Sequence, residues 1–219
     1  MTLKMGLFGN ISKHLYKLLA VSTLLTVCAC GGIGSDGQGS SSLAVDSSCK
    51  YVDTTTLPQR ITLNVPYVKQ EYNYCGPASL SMVMSYYGSP VSQDVLGSDI
   101  VSSEGSTSGD LVYKFEQYGF AGSVTNCEIS GLFELVSEGR PIIVRILNDA
   151  GTNGHFVVIT GYDIGSGLLY LNDPDKPYRK SETLARFQSL WNITTLGDGN
   201  NSRNLAIIGV PTTKIAQLN

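Results

Sequence analysis

Residues Gln70 to Gly88 read QEYNYCGPASLSMVMSYYG, and the use made of Cys75 in that stretch decides how the rest of the chain is read. Gly76-Pro77 opens a helix, because the N–H that proline lacks is one the first turn leaves unbonded in any case. Ala78, Leu80, Val83, Met84 and Tyr87 then recur at broadly helical spacing, and Gly88 ends the element. A thiol at such a first turn faces the positive end of the helix dipole, which favours the thiolate. Five residues upstream, Gln70 offers an amide NH2 that can donate to a developing oxyanion beside the Cys75 backbone N–H. A buried structural cysteine needs neither neighbour. A nucleophile uses both.

Outward from this helix the chain divides in two. Before it, ITLNVPYV (Ile61 to Val68) alternates apolar and polar residues as a short strand does, with Pro66 confining it to an edge or an end. After it, further helices are expected at Ser92 to Leu96, Gly109 to Tyr118 and Ser130 to Glu138. The second half is rich in β-branched residues: PIIVRIL (Pro141 to Leu147), HFVVITGYD (His155 to Asp163), LLYLND (Leu168 to Asp173) and LAIIGV (Leu205 to Val210), separated by Gly and Asn turns. One helix, Glu182 to Trp191, interrupts them. Helices followed by antiparallel strands predict an α+β domain of two halves over residues 49–219, with the site where a helix end faces the sheet.

The candidates for chemistry are few. His14 lies near the N-terminus, which leaves His155 as the one histidine of the domain. It follows the loop NDAGTNG and opens an apolar strand. Asp173 comes eighteen residues later at the end of the next strand, and the turn DIGSG between them brings both residues toward one end of the sheet. A thiol, a base, an acid that orients the base, and an oxyanion donor form the set required for acyl transfer.

The set Gln70, Cys75-Gly76-Pro77-Ala78, His155-Phe156-Val157-Val158 and Asn172-Asp173-Pro174 resembles the papain-like peptidases that process bacteriocin leaders, family thirty-nine of the cysteine peptidases, and most closely its stand-alone relatives. TSGDLVYKFEQYGF (Thr107 to Phe120) and the late helix ending at Trp191 are similar too, so the resemblance runs from about Ile61 to Val210. It implies a papain-like two-part domain, N-terminal helices on a C-terminal antiparallel sheet, that hydrolyses peptide bonds in a peptide or protein substrate. By the same resemblance Cys75 is the nucleophile, His155 the base, Asp173 the orienting acid and Gln70 part of the oxyanion hole, with no metal or organic cofactor. Tyr74 stands where bacteriocin-processing members often carry an acid. Two other readings keep the same residues: an amidase or acyl transferase that uses the same thioester, and a peptide-binding lipoprotein without activity.

The N-terminus has a different character. Lys4, Lys13 and Lys17 precede the ten apolar or small residues LLAVSTLLTV, and then Cys28-Ala29-Cys30-Gly31-Gly32. A basic start, an apolar run too short to span a bilayer and a small residue before the cut describe an export signal. Val27-Cys28-Ala29-Cys30 resembles a bacterial lipobox, with residues 1–29 removed and Cys30 lipidated. Residues 30–48, dominated by Gly and Ser over GGIGSDGQGSSS, read as a flexible tether. Removing residues 1–29 takes three lysines and no acid, so the formal charge goes from −3 to −6. Attachment of the exported protein to a bacterial membrane then rests on acyl chains rather than on basic residues. Neither a basic run nor a basic-aromatic patch points to nucleic acid.

With Cys30 assigned to lipid and Cys75 to chemistry, Cys49 and Cys127 are left, and export permits a disulfide between them; two separate thiols are the alternative. One histidine and two spare cysteines make no recognisable zinc ligand set.

Overall fold

The structure, a computed structural model, describes residues 49–151, 153–177, 179–192 and 203–215. The expected signal and tether, with Cys30, lie outside them. In chain order the elements are β1 (Arg60–Thr62), α1 (Cys75–Tyr86), α2 (Gln93–Gly97), α3 (Ser108–Gln117), β2 (Phe120–Asn126), α4 (Ile129–Ser137), β3 (Ile142–Leu147), β4 (Gly154–Asp163), β5 (Leu168–Asn172), β6 (Arg179–Thr183), α5 (Leu184–Trp191), β7 (Leu205–Pro211) and α6 (Thr212–Ile215).

Helix α1 is buried continuously from Gly76 to Met84, so it is covered around its whole circumference instead of along one stripe. It packs against β4, β3, α2 and α3. Two of its neighbours start at side-chain caps. The Ser92 hydroxyl accepts from the Val95 N–H, and Thr107 with Asp110 forms a reciprocal capping box at the head of α3.

The sheet is antiparallel throughout and runs β2-β7-β3-β4-β5-β6. β4 is its longest strand. One edge pairs with β5; the other is shared end to end by β3, which covers Gly154 to Ile159, and β1, which covers Gly161 to Asp163. The register with β5 shifts between Ile159 and Gly161. A Cβ on Gly161 would collide with the Ile61 carbonyl oxygen, so glycine is what lets β1 lie this close. Trp191, Tyr162, Phe115 and Phe187 are the largest fully buried side chains of the core. The Trp191 indole N–H donates to the Leu205 carbonyl at 3.0 Å.

The α+β class and the helices-then-sheet order hold, with three corrections. The expected strand Ile61 to Val68 pairs only over Arg60 to Thr62, and beyond Leu63 the chain leaves the ladder. β2 was not expected, nor was β6; the latter takes the residues before Leu184, where the sequence suggested a helix from Glu182. Thr183 caps that helix by accepting from the Arg186 N–H.

Cys49 and Cys127 are joined in a disulfide with Cα atoms 4.6 Å apart, an ordinary separation for the bond. The chain around Cys49 lies along α4: the Glu128 N–H donates to the Cys49 carbonyl at 2.9 Å, and the Val52 N–H donates to the Ser130 hydroxyl at 3.0 Å. Gly131 makes room for this contact, since a Cβ there would stand 2.8 Å from the Lys50 carbonyl oxygen.

Candidate active site

Cys75 begins α1, after a tight turn in which the Tyr74 N–H donates to the Glu71 carbonyl at 3.1 Å. Asn73 takes the left-handed conformation in that turn (φ 63°), and its side-chain amide donates to the Ser103 carbonyl at 2.8 Å. The Tyr74 ring lies directly over Gly97 of α2, a position no larger residue could occupy.

His155 is the second residue of β4, and Asp173 directly follows β5. Val158 pairs with Asn172, so one further step along the register sets Asp173 beside Val157. His155, two residues from Val157, shares that face of the sheet, and the two side chains meet as diagonal neighbours. His155 Nε2 lies 2.7 Å from Asp173 Oδ1. That leaves Nδ1 for the thiol, and Cys75 and His155 each favour the other's charged form. The Ser79 hydroxyl donates to the buried Phe156 carbonyl at 3.4 Å, tying α1 to β4 beside this contact.

Gln70 reaches the same place through its backbone, whose N–H donates to the Pro174 carbonyl at 2.9 Å. Its side-chain oxygen is buried without a hydrogen-bond partner in the protein. Gln70, Cys75, His155 and Asp173 together line one cavity of about 340 Å³. The structure therefore brings all four residues singled out in the sequence to a single cleft.

The electrostatics are those of an ion pair. Burial opposes ionisation of the Cys75 thiol, but the hydrogen bond and charge of His155, with backbone N–H groups of Phe156 and Gly76 on the sulfur, outweigh it and lower its pKa. Burial likewise works against the His155 imidazolium; hydrogen bonds and charges from Asp173 and Cys75 reverse this and raise it to about 9. Asp173, although buried, is held below the usual carboxylate value by His155 and by the Asp175 N–H. That N–H donates to Oδ1 at 3.0 Å.

The sequence did not point to Phe156 as an influence on the Cys75 thiol, because only the packing of α1 on β4 brings the two together. It also did not point to the charged rim. Asp149, in the loop between β3 and β4, sits 3.1 Å from Lys176 Nζ and 3.6 Å from Lys180 Nζ, so that loop is bridged to the β5–β6 connection and to the start of β6. In sequence these lysines belong to an unremarkable turn, DPDKPYRK. The cavity lining also includes the apolar Ile146, Leu171, Phe187 and Leu190.

A thiol at a helix start, facing a sheet that supplies an imidazole and a carboxylate, is the arrangement of a thiol-dependent acyl-transfer site. Residues 62–196 match the model of the Peptidase_C39 like family, and the chain belongs to that family, which makes the protein a cysteine-type peptidase. It is 32% identical over 124 residues to the transport/processing ATP-binding protein ComA of two Streptococcus pneumoniae strains, a match over 56% of this chain and 17% of that protein. The chain thus corresponds to about a sixth of the length of those relatives. Among solved structures, the peptidase domain of Streptococcus ComA, a bi-functional ABC transporter involved in quorum sensing, is 26% identical with a TM-score of 0.54, over 66% of this chain and 97% of that one. A double glycine motif protease from an AMS/PCAT transporter, in complex with the leader peptide, is 27% identical with a TM-score of 0.54, over 69% and 94%.

Proposed function

We propose that this cysteine peptidase hydrolyses peptide bonds with Cys75 as nucleophile, His155 as general base and acid, Asp173 as the residue that orients His155, and Gln70 as an oxyanion donor. The observation that carries the reading is that Cys75, His155 and Asp173 line one cavity, with His155 Nε2 2.7 Å from Asp173 Oδ1. The Cys75 thiolate adds to the carbonyl carbon, and the electron pair moves to the oxygen. The Gln70 amide NH2 and the Cys75 backbone N–H stabilise that oxygen. As the tetrahedral species collapses, the C–N bond breaks and the imidazolium gives its proton to the leaving amine, leaving a thioester on Cys75. His155 then takes a proton from water, hydroxide adds to the thioester, and the acid product departs with the thiolate restored. The helix dipole and the backbone donors on the sulfur favour the thiolate in the resting state.

A peptide substrate suits this cleft, and the solved relative holding a leader peptide supports it. The peptide lies in the cavity against Ile146, Leu171 and Phe187, with its scissile carbonyl at Cys75. The protein is exported and anchored to a membrane through lipid on Cys30. Support comes from the Val-Cys-Ala-Cys junction and from the Cys49–Cys127 disulfide, since such bonds persist in oxidising compartments. Replacing Cys75, His155 and Asp173 one at a time, and assaying each variant on a peptide the wild-type protein cleaves, tests the assignment.

A further inference from the structure

Residues Leu63 to Gln70, between β1 and α1, run on from the ladder, which ends at the Leu63 N–H, and meet the end of β5, the turn after Asp173 and the start of β6 at four places. Arg179 Nη2 donates to the Leu63 carbonyl at 3.0 Å, and Asn172 Nδ2 donates to the Val65 carbonyl at 3.2 Å. The other two contacts reach into the turn itself. The Gln70 N–H bonds the Pro174 carbonyl, and the Tyr67 hydroxyl bonds the Lys176 carbonyl and approaches the Pro174 carbonyl at 3.3 Å. These carbonyls belong to residues one and three places after Asp173. Within the turn the Lys176 N–H donates to the Asp173 carbonyl at 3.0 Å, closing the loop on which the carboxylate stands.

Tyr67 is half-buried and is not among the residues that line the cavity. Burial, with the nearby Asp173 and Asp175 charges, disfavours loss of its proton, so the hydroxyl remains a donor. It is the only side chain of the segment that grips the turn beyond Asp173, among the described residues. We propose that Tyr67 is a positioning residue of the active site: by holding the Pro174 and Lys176 carbonyls, its hydroxyl fixes the turn that aims Asp173 Oδ1 at His155 Nε2. The inference rests on the reading of Asp173 as the residue that orients His155. Without the hydroxyl the segment holds the turn only through the Gln70 N–H, and the carboxylate samples a wider range of positions. His155 then loses part of its partner, and Cys75 part of its counter-ion.

Alkylation tests this without any knowledge of the substrate. The full-length protein is treated with iodoacetamide from about pH 4 to about pH 10, and modification at Cys75 is followed by peptide-mapping mass spectrometry. Wild type, Tyr67→Phe, Asp173→Asn and the double variant are compared, with thermal unfolding recorded for each. In Tyr67→Phe the pH midpoint of Cys75 reactivity should move up by roughly half a unit to one unit, which slows alkylation on the acid side about three- to tenfold. In the Asp173→Asn background the same substitution should add no further shift, because the group it positions is already altered. A Tyr67→Phe profile that superposes on wild type, whatever its melting temperature, overturns the proposal. A shift just as large in the Asp173→Asn background overturns it as well. A wild-type Cys75 that titrates as an ordinary thiol would be a different failure, removing the catalytic assignment on which the proposal depends.

Discussion

Asp173 Oδ1 stands 2.7 Å from His155 Nε2, and the same oxygen accepts the Asp175 N–H at 3.0 Å. The carboxylate is thus fixed from two sides, by His155 and by its own turn. Asp173→Asn keeps the shape of the side chain but removes the charge that favours imidazolium. The expected result is a fall in kcat of about tenfold to a thousandfold with a much smaller change in KM. Steady-state kinetics on any cleaved peptide provides the check. An unchanged kcat would contradict the orienting role.

The pH dependence follows from the directions of the shifts. Cys75 ionises below its ordinary value, and His155 keeps its proton up to about 9. The thiolate–imidazolium pair therefore exists between these limits, and activity should be lost on the alkaline side as pH rises through about 9. A raised histidine pKa also means that its contribution to stability is fully present below the unfolded value near 6.5 and declines as pH rises toward about 9. A kcat/KM profile with its alkaline limb near pH 6 to 7 would show that His155 lacks the partners assigned to it.

Much of this was legible in the sequence because local chemistry and tertiary structure agree. Gly76-Pro77 started α1, the helices expected at Ser92 to Leu96 and Gly109 to Tyr118 form as α2 and α3, and the apolar runs of β3, β4 and β7 are buried strands. What was hidden depended on partners distant in the chain. β6 (RKSET) lies at the end of the sheet with alternate residues exposed, so its composition is that of a polar linker. β2 (FAGSVTN) has Gly122 against Phe115 and Val112, where the helix supplies the apolar atoms that a strand residue normally would. The stretch after Thr62 has the alternation of a strand, but Pro66 interrupts it and side-chain contacts to the β5–β6 turn replace the ladder. At the site, Cys75 and Gln70 could be found from their neighbours in sequence. The meeting of His155 with Asp173 required the β4–β5 register.

The disulfide closes a loop between residues 78 positions apart. In the chain-entropy model such a closure stabilises by roughly 4 to 5 kcal/mol, less any strain. Cys49→Ser with Cys127→Ser should lower the denaturant midpoint accordingly, while Cys75 reactivity persists wherever the protein remains folded. Identical midpoints for the variant and the oxidised wild type would show that the crosslink contributes nothing.

Gly131 offers a test of the strap over α4. Alanine in a helix interior is normally about 1 kcal/mol better than glycine. Here the new Cβ would stand 2.8 Å from backbone atoms of Cys49 and Lys50, and overpacking of that kind costs about 1 to 3 kcal/mol. Gly131→Ala is therefore expected to lower the melting temperature. A rise would mean that the strap gives way without cost.

Lipidation is checked at the N-terminus of the mature protein. Mass spectrometry should find Cys30 as the first residue, carrying acyl chains, with the protein in the membrane fraction. An unmodified N-terminus downstream of Cys30 on a freely soluble protein contradicts the anchor.

The central claim is that Cys75 forms the bond to the substrate, and hydrolysis by Cys75→Ala tests it most directly. On a peptide cleaved by the wild-type protein, kcat/KM for the folded variant should fall to the limit of detection, and acid quenching of the wild type during turnover should trap an acyl group on the peptide containing Cys75. Hydrolysis by Cys75→Ala at a rate close to wild type would contradict the account.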